Sequence, residues 1–371
     1  MHTMHPTLLV GPADWDAAAL PRAEFDARIA AFWRARDQNY AGVVVHGSPR
    51  HHAELAYLTN FTPKLEHALA LIPVAGAPQL LVGGGVNMIP AAKPLTWIEN
   101  LAGLRGAGNT VLAWARRLAS GPIAVIGFDD IGVELHQDIV GALDGAGFAV
   151  PDVTHILRLD MRRKSARELA LIRQSCAMLE AAVAAMRSAK EAGRGATDFI
   201  LAGEQAAYAR GAQDVRTLFS LDGGRTLRPF EVTVAAPADP AQVYVAVRHR
   251  GYWAEGFVML ADARAPALDK ARLALRQALP LAEAGTKRSE IEDALARALA
   301  PDAMHPVITR AATSIGLSLD DEGVAGDMLL AGEVLSLRVG VAGPAGAAIS
   351  SAMVALERGG HEVLWSADPL T

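Results

Sequence analysis

Arg225, Arg228, Glu231, Arg248, His249, Glu255, Arg310, Asp320, Asp321 and Arg338 interrupt a series of short apolar runs in the second half of the chain. Strand alternation puts Tyr244, Ala246 and Arg248 on one face of their run and His249 on the other. If Tyr244 faces a pocket, Arg248 shares that face farther along, and Arg338 enters from its own strand. A planar guanidinium matches a carboxylate or phosphate by paired N–H donors. Arg338, Arg248 and Arg228 therefore read as anchors for a small anionic substrate. Glu255 becomes a general base if burial raises its pKa, whereas an ion pair with Arg338 would lower the pKa and spoil that role. Tyr244 can donate a hydrogen bond or act as an acid, or merely satisfy its hydroxyl. His249 and His305 are the histidines in reach of a proton-shuttling role; the alternative for each is a satisfied or exposed side chain.

Other groupings carry weaker signals. Gly223-Gly224 with Arg225 lacks the strand-to-helix fingerprint of a phosphate loop and reads as a turn. Asp129-Asp130 and Asp320-Asp321-Glu322 have nothing at suitable spacing to complete a metal site and read as solvated turns. His46, His51 and His52 follow the first strand, on a solvated loop or facing a partner's pocket in a dimer.

The elements that must position these residues fall into two textures. From about Phe25 to Asp152, helical stretches alternate with short apolar runs. Phe25 to Gln38 has helical spacing, Gly42 to Val45 reads as a buried strand, and Ala68 to Pro73 with Leu80 to Val82 flank a turn at Ala75 to Pro78. Pro122 to Phe128 reads as a strand and Gly132 to Leu143 as a helix, which together indicate an α/β layer domain. Beyond it, Ser165 with Glu168 forms a capping box that opens a helix running to about Lys190. A second helix spans Asp198 to Arg210. Strands follow at Glu231 to Ala235, Val243 to Val247, Phe257 to Ala261 and Val334 to Val339, interrupted by helices near Asp269 to Ala284 and Ser289 to Leu299.

The totals suit this division. A chain of 371 residues, half of them hydrophobic and a fifth charged, has the profile of two packed domains. Its formal net charge of −5 is spread along the length, without the basic stripe that nucleic-acid binding needs. Cys176 is the single cysteine, which excludes a disulfide framework and a thiolate cluster within one chain and fits a cytoplasmic location. The first ten residues lack a signal-peptide pattern, and charges, Gly and Pro break the apolar runs, so no membrane span is expected.

Five motifs in order resemble those of the creatinase/prolidase/aminopeptidase P family. Tyr57-Leu58-Thr59-Asn60-Phe61 is similar to the family's "YLTGF" segment. Leu157 to Glu168 resembles the stretch that opens its catalytic domain. Gly251-Tyr252-Trp253-Ala254-Glu255 resembles "GYxxD", Ser314 to Leu319 the core of "GHGIGLxxHE", and Gly332 to Leu337 the "GMVxTxEP" strand. The resemblance implies an α/β (α+β) fold: an extension over 1–24, a creatinase-like N-terminal α/β domain over 25–155, and a pita-bread domain of curved sheet flanked by helix pairs over 156–371. It also implies a homodimer.

Metal-dependent relatives hold two divalent ions with Asp, Asp, His, Glu and Glu, and the ions activate a hydroxide. The resemblance places Tyr244, Glu255, Thr313, Arg338 and about Ser350 at those positions, with Asp320 at a proton-shuttling histidine and the other such histidine near Pro229-Phe230. One carboxylate among these residues does not make a dinuclear site, and a permanent cation at Arg338 opposes one, so no metal and no cofactor is expected. Either the pocket has exchanged metal ions for arginine and binds a small anion, with Thr313 and Asp320 lining it, or Arg338 and Glu255 form a buried ion pair filling a dead site.

The leading reading is a metal-independent hydrolase of a C–N bond in a small carboxylate-bearing, nitrogenous substrate, for which creatinase is the family precedent. The rival is a non-catalytic binding or interaction protein. A third reading, if the alignment is shifted, is an Xaa-Pro peptidase. None involves nucleic acid or a membrane.

Overall fold

The computed structural model describes residues 14–34, 39–220, 222–229, 241–260, 266–300, 302–305, 307–319, 327–343 and 346–368. The chain divides into two units at Met161/Arg162. Residue 155, the boundary expected from sequence, lies inside the helix that ends there, Thr154–Arg162.

The first unit runs α1 (Arg22–Arg34), β1 (Gly42–Gly47), α2 (Ala53–Thr59), β2 (Ala68–Pro73), β3 (Gln79–Val82), α3 (Ile89–Ala92), β4 (Asn100–Gly103), α4 (Ala107–Ala115), β5 (Ile123–Ile126), α5 (Val133–Asp144) and α6 (Thr154–Arg162). Its sheet has the order β4-β3-β2-β1-β5. β1 and β2 are buried along their whole length, as central strands with both faces covered must be, which explains their unbroken apolar runs. Trp114 of α4 and Ile139 and Leu143 of α5 pack with Val44, Leu69, Leu81 and Val125 of the sheet. Each such large side chain stabilises the unit by roughly 1.5–3 kcal/mol when fully buried. Tyr57-Leu58-Thr59, which sequence reading left without an element, ends α2, and Asn60 closes that helix in the left-handed region at φ 61°.

The second unit runs α7 (Ala166–Glu191), α8 (Ala196–Tyr208), β6 (Asp214–Phe219), β7 (Arg228–Pro229), β8 (Ala241–His249), β9 (Tyr252–Leu260), α9 (Pro266–Ala278), α10 (Arg288–Leu299), β10 (Ala303–Met304), β11 (Ala312–Ser314), β12 (Val334–Gly343), β13 (Gly346–Glu357) and β14 (Gly360–Ser366). The capping box forms as expected, Ser165 accepting from the Glu168 N–H and Glu168 from that of Ser165. The expected strand over Glu231 to Ala235 lies outside the described residues.

Two sheets share the work of this unit: β7-β6-β8-β9, and β10-β12-β13-β14 with β11 on β12. They meet where β9 runs along β13. Phe257 N–H donates to Ser351 Oγ at 2.7 Å, and Glu255 N–H points at Met353 Sδ at 3.3 Å. Gly256 makes room for the Trp365 ring, since a Cβ there would lie 2.2 Å from it. α7 packs along β8 and β9, and α9 along β12 and β13. Among the described residues α7 is the one helix long and apolar enough to cross a membrane, contrary to the expectation from its charges. Its buried stripe, Leu171, Ile172, Leu179, Ala182 and Val183, has the three-and-four spacing of a core helix.

Candidate active site

β8 and β9 form a hairpin closed by two residues, Arg250 and Gly251, both with positive φ (47° and 90°). That backbone matches the twist of the strands, and glycine is the natural occupant of such a position. The turn fixes the register: His249 faces Tyr252, Ala246 faces Glu255 and Tyr244 faces Phe257. Partners in an antiparallel pair share a face, so Tyr244, Ala246, Arg248, Trp253, Glu255 and Phe257 lie on one side. On the second sheet, Ala312 pairs with Leu337 and Thr313 with Ser336, while Arg338 stands opposite Ser351. Thr313, Ser336 and Arg338 therefore share a face too.

Side chains from the two sheets meet in one polar chain. Tyr244 donates its hydroxyl hydrogen to Glu255 Oε2 at 2.6 Å. Glu255 Oε1 lies 2.6 Å from Arg338 Nη2, an ion pair whose carboxylate is 2% exposed and whose guanidinium is 17% exposed. Arg338 Nη2 also donates to Thr313 Oγ1 at 2.5 Å, and Nε approaches Ser336 Oγ at 3.4 Å. Arg338 Nη1 has no hydrogen bond to a described residue. Burial, the charge of Glu255 and the hydrogen bond to it hold the Tyr244 hydroxyl well above the usual phenol value, against Arg338 and Arg216. The phenol thus keeps its proton and acts as a donor.

Four of the residues singled out from sequence, Tyr244, Glu255, Arg338 and Thr313, come together. The others divide. Arg248 is on the same face, buried to 5% exposure, with its guanidinium over the Trp253 ring at 5.7 Å from the centroid. Burial lowers its pKa to about 10, against the charge of Asp214. Arg228 is exposed on β7, paired with Phe219, and is not part of the chain of contacts. Asp320 lies outside the described residues, as do Glu231, Asp321 and Glu322.

Neither expected proton shuttle joins the chain of contacts. His249 turns its Nδ1 to the carbonyl of Gly211 at 3.0 Å. His305 is fully buried; its Nε2 donates to the Gly224 carbonyl at 2.6 Å and its Nδ1 accepts from Val307 N–H at 3.2 Å, so both ring nitrogens are engaged structurally. Ser350 pairs with Val339 and therefore faces away from Arg338, with its Oγ directed to Asp368 at 3.2 Å. The residue on the Arg338 face is Ser351, which the join to Phe257 occupies. In the first unit, His46 is buried instead of solvated: its Nδ1 meets the Gly127 carbonyl at 2.8 Å and its Nε2 meets His67 at 2.7 Å.

The residue that sequence reading missed is Gln242, two places before Tyr244 on β8 and fully buried. A polar amide inside the apolar run Ala241 to Val247, in phase with Tyr244, was the available signal.

These donors do not fit a pair of divalent ions. A protonated phenol, a threonine hydroxyl and a guanidinium offer no anionic ligand, and the Arg338 cation already lies against the Glu255 carboxylate. Among the described residues there is no group of three or more His, Cys, Asp and Glu side chains that could hold a metal ion.

No family model matches the chain, and no curated protein matches it by sequence. Solved structures do match. An X-Pro aminopeptidase from Thermotoga maritima superposes with a TM-score of 0.75 at 14% identity, over 94% of this chain and 98% of that one. The dipeptidase PepE from Mycobacterium ulcerans gives 0.72 at 19%, over 95% and 97%. The N-terminal domain of the FACT complex subunit SPT16 from chickpea gives 0.67 at 15%, over 94% and 97%. The chain has the pita-bread fold of the prolidase and aminopeptidase P structures. At these identities the likeness establishes the fold.

Proposed function

We propose that this chain is a peptidase-like protein whose pita-bread site holds a small carboxylate-bearing, nitrogen-containing ligand on Arg338, without a metal pair. The observation that carries the reading is the placement of Arg338. One edge of its guanidinium is spent on Glu255 and Thr313, and Nη1, which meets no described residue, is the donor assigned here to the ligand. A charge-assisted hydrogen bond from Nη1 to a carboxylate is the strongest contact this arrangement can add. The likeness to an SPT16 domain supports a binding role, since that neighbour is a piece of a multi-subunit complex.

A second reading, metal-independent hydrolysis of a C–N bond, draws on the likeness to dipeptidase and aminopeptidase structures and on the Tyr244 hydroxyl held against Glu255. Against it stands the environment of the carboxylate: Oε2 already accepts from Tyr244, and Oε1, which accepts no hydrogen bond among the described residues, lies in an ion pair with Arg338. The deciding experiment is metal content by plasma mass spectrometry on untagged protein purified without chelator, beside calorimetry with X-Pro dipeptides. Near-zero manganese, iron, cobalt and zinc, with carboxylate binding lost in Arg338→Met, is the expected result. Two equivalents of metal per chain with turnover of X-Pro dipeptides overturns the proposal. Metal-free turnover abolished by Glu255→Gln would favour the second reading.

A further inference from the structure

Gln242 carries a buried donor with nothing to receive it. Its Oε1 accepts from the Ile349 N–H at 2.8 Å, which fixes the carboxamide: exchanging O and N would set two donors against each other. The Nε2 group is consequently the unpartnered end, with no hydrogen-bond partner among the described residues although Gln242 is fully buried. Buried amides are almost always satisfied, so an orphaned one marks either strain or an absent partner.

Its surroundings point to a partner shared with Arg338. Gln242 lies on the Tyr244 face of β8, by strand alternation. Ile349, which anchors its amide, pairs with Gly340, and Gly340 is two residues beyond Arg338 on the same face of β12. Two residues of strand span about 6.5–7 Å. The Ile349 amide that holds Gln242 is thus one pleat along and one strand across from Arg338, and Gln242 stands one pleat from Tyr244 on β8; Arg338 Nη1 and Gln242 Nε2 are the two donors of this region that no described residue satisfies.

We infer that Gln242 is a specificity-determining residue of this site, donating from Nε2 to a carbonyl oxygen of the ligand whose carboxylate is held by Arg338. The inference rests on the carboxylate-binding reading of Arg338 and narrows it. The ligand class is a small N-acylated or N-carbamoylated amino acid. A guanidino acid has N–H donors where the acyl compound has its carbonyl oxygen, and would set donor against donor at Nε2.

Carbamoylglycine and guanidinoacetate match in shape and differ at that group in hydrogen-bonding sense and in charge; they serve as probes in calorimetry with the full-length chain. Because the charge difference is common to all variants, the readout is the change in preference when Gln242 is replaced. The wild type should bind carbamoylglycine roughly tenfold or more tighter than guanidinoacetate. Gln242→Met keeps the side-chain length and removes the donor and acceptor together; Gln242→Leu removes both groups in a shorter side chain. Either variant, once shown folded by its thermal melt, should lose the preference, and Arg338→Met should lose both ligands. Equal binding of the two compounds by the wild type, still dependent on Arg338, overturns the role of Gln242 and leaves the carboxylate reading standing. Binding of neither overturns both. A high-resolution crystal structure of the liganded wild type that places only an ordered water on Nε2 also overturns the role of Gln242.

Discussion

Two buried clusters in the second unit both set a glutamate against arginine and take a hydroxyl from adjacent residues of β11, and they are built differently. Thr313 belongs to the site, while Ser314 next to it belongs to the other cluster, where Glu333 is fully buried. Arg162 grips Glu333 with both prongs, Nε at 3.0 Å and Nη2 at 2.7 Å, and Arg288 adds Nη2 at 3.0 Å. Ser314 Oγ and the Leu330 N–H complete the set. Every lone pair of Glu333 is directed at a donor of the protein. Among the described residues, the Glu255 cluster has one arginine in contact and a guanidinium nitrogen to spare. A closed ion cluster fixes loops and strands; an open one has capacity left for something else.

The comparison can be broken by experiment, beginning where the loss is greatest. Glu333→Gln leaves two arginines short of their counter-charge and should destabilise the chain by about 3–5 kcal/mol in denaturant unfolding. The same residue has a pH signature. Burial alone would raise its pKa, but hydrogen bonds from Arg162 and Ser314 and the charges of Arg162 and Arg288 bring it below the ordinary value. A carboxyl lowered in the folded state contributes stability above its unfolded pKa, near 4.3, and loses it as the pH falls through the folded value. Stability measured on acidification should therefore drop more below about pH 4.3 for the wild type than for Glu333→Gln.

Arg338→Met should cost somewhat less, about 3 kcal/mol, because Tyr244 still serves the stranded carboxylate. Adding Glu255→Gln should restore most of that loss, since removing both charges avoids an unpaired one. A double variant as unstable as the single one would sink the idea of an open pair kept for binding. Tyr244→Phe, read by the same unfolding experiment, should cost about 1.5 kcal/mol for one hydrogen bond to a charged group. Arg228→Ala should change stability by no more than about 0.5 kcal/mol and leave ligand binding as it was, as expected of an exposed edge residue.

Much of this fold was legible because its motifs recur in order and its helices obey local rules. The Ser165–Glu168 box and the stripe of α7 are set by neighbours in sequence, and they formed where expected. Strand alternation likewise put Tyr244 and Arg248 on a common face, and the Glu255–Arg338 pair, read as one of two outcomes, is present. What failed was whatever depended on distant contacts. His305 and His249 look alike in a sequence, but ring nitrogens of theirs are engaged by Gly224 and Gly211, which only the packed chain brings near, and by Val307 two residues on. Ser350 missed by one residue, and a period of two turns that error into the wrong face. Gln242 stands out in sequence as a polar amide in an apolar run, but that its Nε2 lacks a partner among the described residues is visible only in the packed chain.

The two-residue turn at Arg250 and Gly251 has a consequence for how this chain can change over time. Many surface turns accept an added residue at little cost, and lineages diverge through them. Here one added residue that shifted β9 against β8 would send Glu255 toward the Trp365 side and bring Ala254 and Gly256 to face Arg338. The hairpin should thus tolerate substitution at Arg250 far better than any change in its length, while Gly251 is held by its positive φ.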